Sequence, residues 1–83
     1  MNIISEHDLL VGDGQMLEVW RVGRDGDFCV SYANCEIKEG IMLVGRFGRG
    51  KSFSEAINDY YKQIKGKTLV FNASSARFEV RMI

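Results

Sequence analysis

The sequence has no proline, one histidine, one tryptophan and two cysteines in 83 residues. Each scarcity excludes something. Without proline, the turns must rest on glycine, asparagine and aspartate, and no stiff proline-rich linker divides the chain. The single histidine, His7, has no Cys or His pair to complete a zinc set. It also lies in an N-terminal stretch of no clear period, so no Ser-His-Asp or Cys-His constellation can be argued. Cys29 and Cys35 fall six residues apart in the strand-like run "FCVSYANCEIK". In one regular strand both would share a face about 20 Å apart, at ~3.3 Å per residue. That is too far for a disulfide, so both are expected to be reduced packing residues.

No apolar run approaches the roughly 20 residues of a membrane-spanning helix. "MNIISEHDLLVGDG" carries acids and lacks a basic start, unlike a signal peptide. The expected setting is the cytosol, without membrane contact. Neither repeats nor low-complexity tracts occur, and the length suits one domain, 1–83, with 1–15 as an irregular leading segment.

Formal charge is zero, yet its distribution is not even. Residues 1–40 hold eight acids and three bases, and residues 41–83 hold eight bases and three acids, giving −5 and +5. Either the halves pair with each other across the fold, or the second half presents a basic patch to a negative partner. Pairing is the favoured reading, because interleaved strands mix the halves.

The elements follow from periodicity. "MLEVWRV" alternates, placing Leu17, Val19 and Arg21 on one face and Glu18, Trp20 and Val22 on the other. The Asp-Gly of "GRDGD" is a hairpin turn, and "FCVSYANCEIK" the next strand. Glu39-Gly40 turns into "IMLVGRF", a third strand. Ser52 and Glu55 make a capping box. Phe53, Ala56, Ile57, Tyr60 and Ile64 form one helical stripe, and Gly66 sits at the C′ position. "KTLVFNA" and "FEVRMI" complete the order βββαββ. The simplest packing is α+β: an antiparallel β-meander with one helix on one face.

"GRFGRGKS", Gly45–Ser52, matches the phosphate-loop pattern GxxxxGK[ST] letter for letter. Strand, glycine-rich turn and capped helix pass the local test. The wider test fails. A magnesium-holding carboxylate is needed at the end of a neighbouring strand, and "TLVFNA" offers Asn72 there. Five short strands also leave no doubly covered parallel sheet. Nucleotide hydrolysis is therefore the least favoured function. No catalytic residue, metal ligand or cofactor site is expected. A simpler anion or acidic-partner site would use Arg46, Arg49 and Lys51, with Lys67 and Arg77. Its bland counterpart is a solvated glycine-rich turn. Arg46-Phe47 and Arg77-Phe78 interleave bases with aromatics in a manner that could stack on single-stranded bases, although both phenylalanines read better as packing residues. Trp20 and Tyr32, on neighbouring strands, are candidate protein-contact aromatics if exposed.

Residues 45–81 carry a resemblance. Gly48 and Gly50, then Glu55-Ala56-Ile57, Tyr60 or Tyr61, Ile64, Gly66-Lys67 and Leu69 to Ala73 give a GxG…EAI…Y…I-x-GK-x-LVFNA pattern. It resembles a small protein family of phages and prophages of Gram-positive bacteria, which implies an origin rather than a mechanism. A weaker similarity, in "GKSFSEA", is to HicB-like antitoxin domains, whose meander runs into such a helix start. Their aromatic-proline segment is missing.

The expected function is thus non-enzymatic. A phage-encoded accessory protein in the cytoplasm of an infected or lysogenic host would bind and inhibit or modulate a host protein or nucleoprotein complex. A defence system such as CRISPR–Cas is the natural target class. Exposed sheet edges would serve such docking and would also allow a homodimer. The alternative is a small module binding nucleic acid or a phosphate ligand at the basic turn 45–52.

Overall fold

Alternation and turn glycines set the strands, and in the computed structural model, which describes residues 2–4, 17–24 and 26–83, they assemble into two sheets rather than one. The strands are β1 (Asn2–Ile4), β2 (Leu17–Val22), β3 (Asp27–Tyr32), β4 (Cys35–Glu39), β5 (Met42–Val44), β6 (Gly48–Gly50), β7 (Thr68–Phe71) and β8 (Phe78–Met82). One helix, α1 (Phe53–Ile64), lies between β6 and β7. His7, the "VGDGQ" turn and Asp25 lie outside the described residues.

The larger sheet has the order β1-β8-β7-β4-β5, antiparallel except for the parallel β1–β8 pair. The smaller is antiparallel β2-β3-β6. The α+β class holds, with the helix packed against the sheets. Three details depart from the single meander. Within the segment 1–15, expected to be irregular, Asn2–Ile4 pairs with Val80–Met82. The run "FCVSYANCEIK" is two strands, because Asn34 takes a left-handed φ of 52° and turns the chain from one sheet to the other. Asparagine is among the few residues that adopt this conformation readily. Cys29 and Cys35 therefore belong to different sheets, and both are free. Finally, "GRG", read as part of a turn, is itself a short strand, reached from β5 by the irregular strap Gly45–Phe47.

The helix is built as its sequence dictates. Ser52 Oγ accepts from the Glu55 amide at 3.1 Å. The Ser52 hydroxyl also donates to Glu55 Oε2 at 3.3 Å, so the carboxylate contacts the capping side chain instead of the Ser52 amide. Ala56, Ile57, Tyr60 and Ile64 are buried, whereas Phe53 is exposed at the first turn. Gly66 has a φ of 74°, and its amide donates to the Met82 carbonyl, tying the helix end to β8.

The core is shared. Val30 and Tyr32 from the small sheet and Ile37, Leu69, Phe71, Val80 and Met82 from the large one gather around the buried helix residues. The helix is the wedge that both sheets cover. It approaches β6 closely enough to forbid side chains there. A Cβ on Gly48 would overlap the Ala56 carbonyl, and one on Gly50 would lie 2.6 Å from Glu55 Cβ and 2.8 Å from the Ala56 nitrogen. The GxG spacing places both glycines on the helix-facing side of β6 and Arg49 on the other.

Candidate functional site

The small sheet has a helix-facing side and a solvent side. Register pairs Trp20 with Cys29 and Cys29 with Arg49, so these three share the side away from the helix with Asp27, Cys29 being fully buried there between its neighbours. Here the basic turn meets its partner. Arg49 Nε lies 2.9 Å from Asp27 Oδ2, and Lys51 Nζ lies 2.8 Å from Asp27 Oδ1. Hydrogen bonds from Lys51 and then Arg49, reinforced by their charge, hold the Asp27 carboxyl below its usual range. The remaining bases of the candidate site are also paired. Arg46 and Lys67 lie 3.7 and 3.9 Å from Glu39, and Arg77 lies 3.4 Å from Glu79. Asp27 and Glu39 belong to the acidic half, and four of the five bases answer them across the fold. The five bases do not all converge: Arg46 and Arg49 border one small pocket with Asp59 and Gln63, Lys51, Lys67 and Arg77 are not in its lining, and Arg77 lies just before β8.

The middle and the last turn of the helix are likewise engaged internally. Asp59 Oδ2 accepts from the Arg49 amide at 2.9 Å, and Gln63 Nε2 donates to the Phe47 carbonyl at 2.8 Å and to Asp59 Oδ2 at 3.1 Å. These helix side chains bond the backbone of the strap and of β6 where another strand would otherwise pair. Three of the four fixed letters of the phosphate loop thus have a structural role: Gly50, like Gly48, makes room for the helix, Lys51 joins Arg49 in neutralising Asp27, and Ser52 caps, whereas a Cβ on Gly45 would meet nothing within 4 Å. Asn72, standing where a magnesium carboxylate was sought, takes a left-handed φ of 53° and donates its amide to the Asn34 carbonyl at 2.9 Å. The two turn asparagines brace each other.

The aromatic candidates separate. Even-numbered residues of β2 pair with odd-numbered residues of β3, so Trp20 and Tyr32 point to opposite faces. Tyr32 is 3% exposed and packs edge-on against Tyr60 and Phe71 in the core, which removes it as a contact residue in the folded chain. Trp20 is 37% exposed and packs against Phe47, itself 49% exposed, with ring centroids 5.8 Å apart. Phe47, read from sequence as a packing residue, is thus an exposed aromatic. Phe78 is half-buried and stacks on Phe71 at 5.0 Å.

A cleft of about 660 Å³ opens beside the aromatic pair, where the small sheet gives way to the large one. Glu18 and Trp20 of β2, Glu36 of β4, Phe47 of the strap and Ser74–Ser75 of the β7–β8 loop bound it. Cys35 reaches its floor. Burial, aided by the Glu36 charge and opposed by the Tyr60 hydroxyl, pushes this thiol up to about 12. At neutral pH it is no nucleophile. Among the described residues no group of three or more His, Cys, Asp or Glu gathers to hold a metal, and no helix is long and apolar enough to cross a membrane. Comparisons with protein-family models, curated proteins and solved structures returned no match to this chain.

Proposed function

We propose that this chain is a non-enzymatic binding module that docks on a protein partner through the solvent side of its small sheet. The observation that carries this reading is the Trp20–Phe47 pair, two large aromatics left in solvent and packed on each other beside the edge strand β2. Aromatic residues of this kind are the usual anchors of protein interfaces. Val19, on the opposite face of β2, is also exposed, so a partner could add a strand to this edge and cover both sides. The likeness of residues 45–81 to a phage and prophage family makes a host bacterial protein the partner class, within a defence system such as CRISPR–Cas, in the host cytoplasm.

The alternative reading, nucleic acid or a phosphate ligand on the turn 45–52, has a cost. The ligand must compete with Asp27 for Arg49 and Lys51, and with Glu39 for Arg46. One capture experiment separates the two. The wild-type protein, Trp20→Ala, Phe47→Ala and the Arg49→Ala/Lys51→Ala pair are each used as bait in host lysate. The proposal expects a stoichiometric protein, kept at moderate salt and lost from the two aromatic variants. Retention of nucleic acid alone, with steep salt dependence and loss in the arginine–lysine pair, decides for the alternative.

A further inference from the structure

Seven acidic side chains lie within the described residues, and five have partners. Asp27 and Glu39 each hold two cations, Glu79 holds Lys38 and Arg77, Glu55 meets Ser52, and Asp59 accepts from Arg49 and Gln63. Glu18 and Glu36 have no hydrogen-bond or ionic partner among the described residues, and both line the same cleft. They reach it from different sheets, Glu18 from β2 and Glu36 from β4. Glu18 stands two residues from Trp20 on the same face of β2, roughly 7 Å away at ~3.4 Å per residue. Among the described residues the one cation on the cleft wall, Arg46, is already turned to Glu39, which is not part of that lining. The cleft therefore combines two uncompensated negative charges, an exposed indole and the hydroxyls of Ser74 and Ser75.

We infer that this cleft receives a cationic side chain, an arginine, of the partner protein, with its guanidinium against Trp20 and between the Glu18 and Glu36 carboxylates. This rests on reading the chain as a protein-binding module. The chemistry matches group by group. A guanidinium carries five donors in a plane and no acceptor, and the two carboxylates and two hydroxyls supply acceptors on different walls. Its flat face suits the indole, the best aromatic surface for a cation. Both side chains that carry this charge line one cleft, so the site favours an occupant of positive charge. The sequence had suggested an anion at the basic turn. The folded chain neutralises that turn and leaves its uncompensated charge here, with the opposite sign.

The single tryptophan makes the test direct. The peptide acetyl-Gly-Arg-Gly-amide is titrated into the 15N-labelled protein, with the citrulline peptide, neutral and of the same shape, as control. The expected result is a saturable shift of the Trp20 indole N–H and of the Glu18, Glu36 and Ser74–Ser75 amides with the arginine peptide, and at least tenfold weaker binding of the citrulline peptide. Glu18→Gln/Glu36→Gln should lose the arginine response at least tenfold while melting as the wild type does, since neither carboxylate has a partner among the described residues. Equal shifts with both peptides, shifts elsewhere on the surface, or no shift at all would overturn the inference. The same double variant used as bait tells this failure from that of the wider reading. A partner lost with Trp20→Ala but fully retained by Glu18→Gln/Glu36→Gln leaves the module standing and removes the arginine from the cleft.

Discussion

Gly48 is the residue on which the packing of this chain turns. Its missing Cβ lets the Ala56–Tyr60 stretch of α1 lie directly on β6. Gly48→Ala should destabilise the protein by about 2–3 kcal/mol, the upper part of the range for overpacking, because the obstacle includes helix backbone. Gly45→Ala is the control: a Cβ there meets nothing within 4 Å, so its effect should stay within about 0.5 kcal/mol. Urea unfolding of both variants checks the pair, and equal effects would show that the close approach is not what Gly48 serves. At this scale the sequence was partly legible. Ser52 as cap, Gly66 at the helix end and the helix stripe from Ala56 to Ile64 follow from local rules, because each concerns residues within one turn of each other. The glycines of "GRG" read as a loop in the sequence, since the contact that requires them is with a helix five to twelve residues further on.

At the scale of elements, the smaller sheet is held at one end by a cluster drawn from two strands: Asp27 of β3, Arg49 of β6 and Lys51 just beyond it. The Asp27 pKa is lowered in the folded chain, so the carboxylate contributes stability that is present above its unfolded pKa and is lost as pH falls through the folded value. Thermal midpoints from pH 7 to pH 2 for the wild type and Asp27→Asn should therefore differ at neutral pH, with the variant lower. They should converge only in acid, below the ordinary carboxylate value of 3.8. A difference that does not change with pH would mean that packing, and not charge, is what Asp27 supplies. The acidic and basic halves of the sequence made cross-pairing the favoured expectation. Which acid meets which base was hidden, because the antiparallel register of β3 on β6 decides it.

On the scale of the whole molecule, α1 is covered by both sheets, and core residues from each touch the same helix face. The two sheets should therefore unfold together. Trp20 reports on the small sheet, while the far-ultraviolet circular dichroism signal reports on all the elements. Denaturation followed by both probes should give coincident transitions with one midpoint. An earlier loss of the tryptophan signal would mean that the small sheet is a separable unit.

The sequence by itself determined the α+β class, the helix with its cap and buried stripe, and the positions of most strands. All of these depend on hydrophobic period and on turn chemistry within a few residues. It also placed Glu18 and Trp20 on one face of a strand by simple alternation. Only the tertiary structure decided that Asn34 divides the strands between two sheets and that Tyr32 is buried while Trp20 and Phe47 meet in solvent. The same assembly neutralised the cations of a perfect phosphate-loop motif and left Glu18 and Glu36 without a partner among the described residues around one cleft. Those outcomes depend on register and on contacts between distant segments. Such contacts fix which charges are compensated, and a linear pattern holds no record of them.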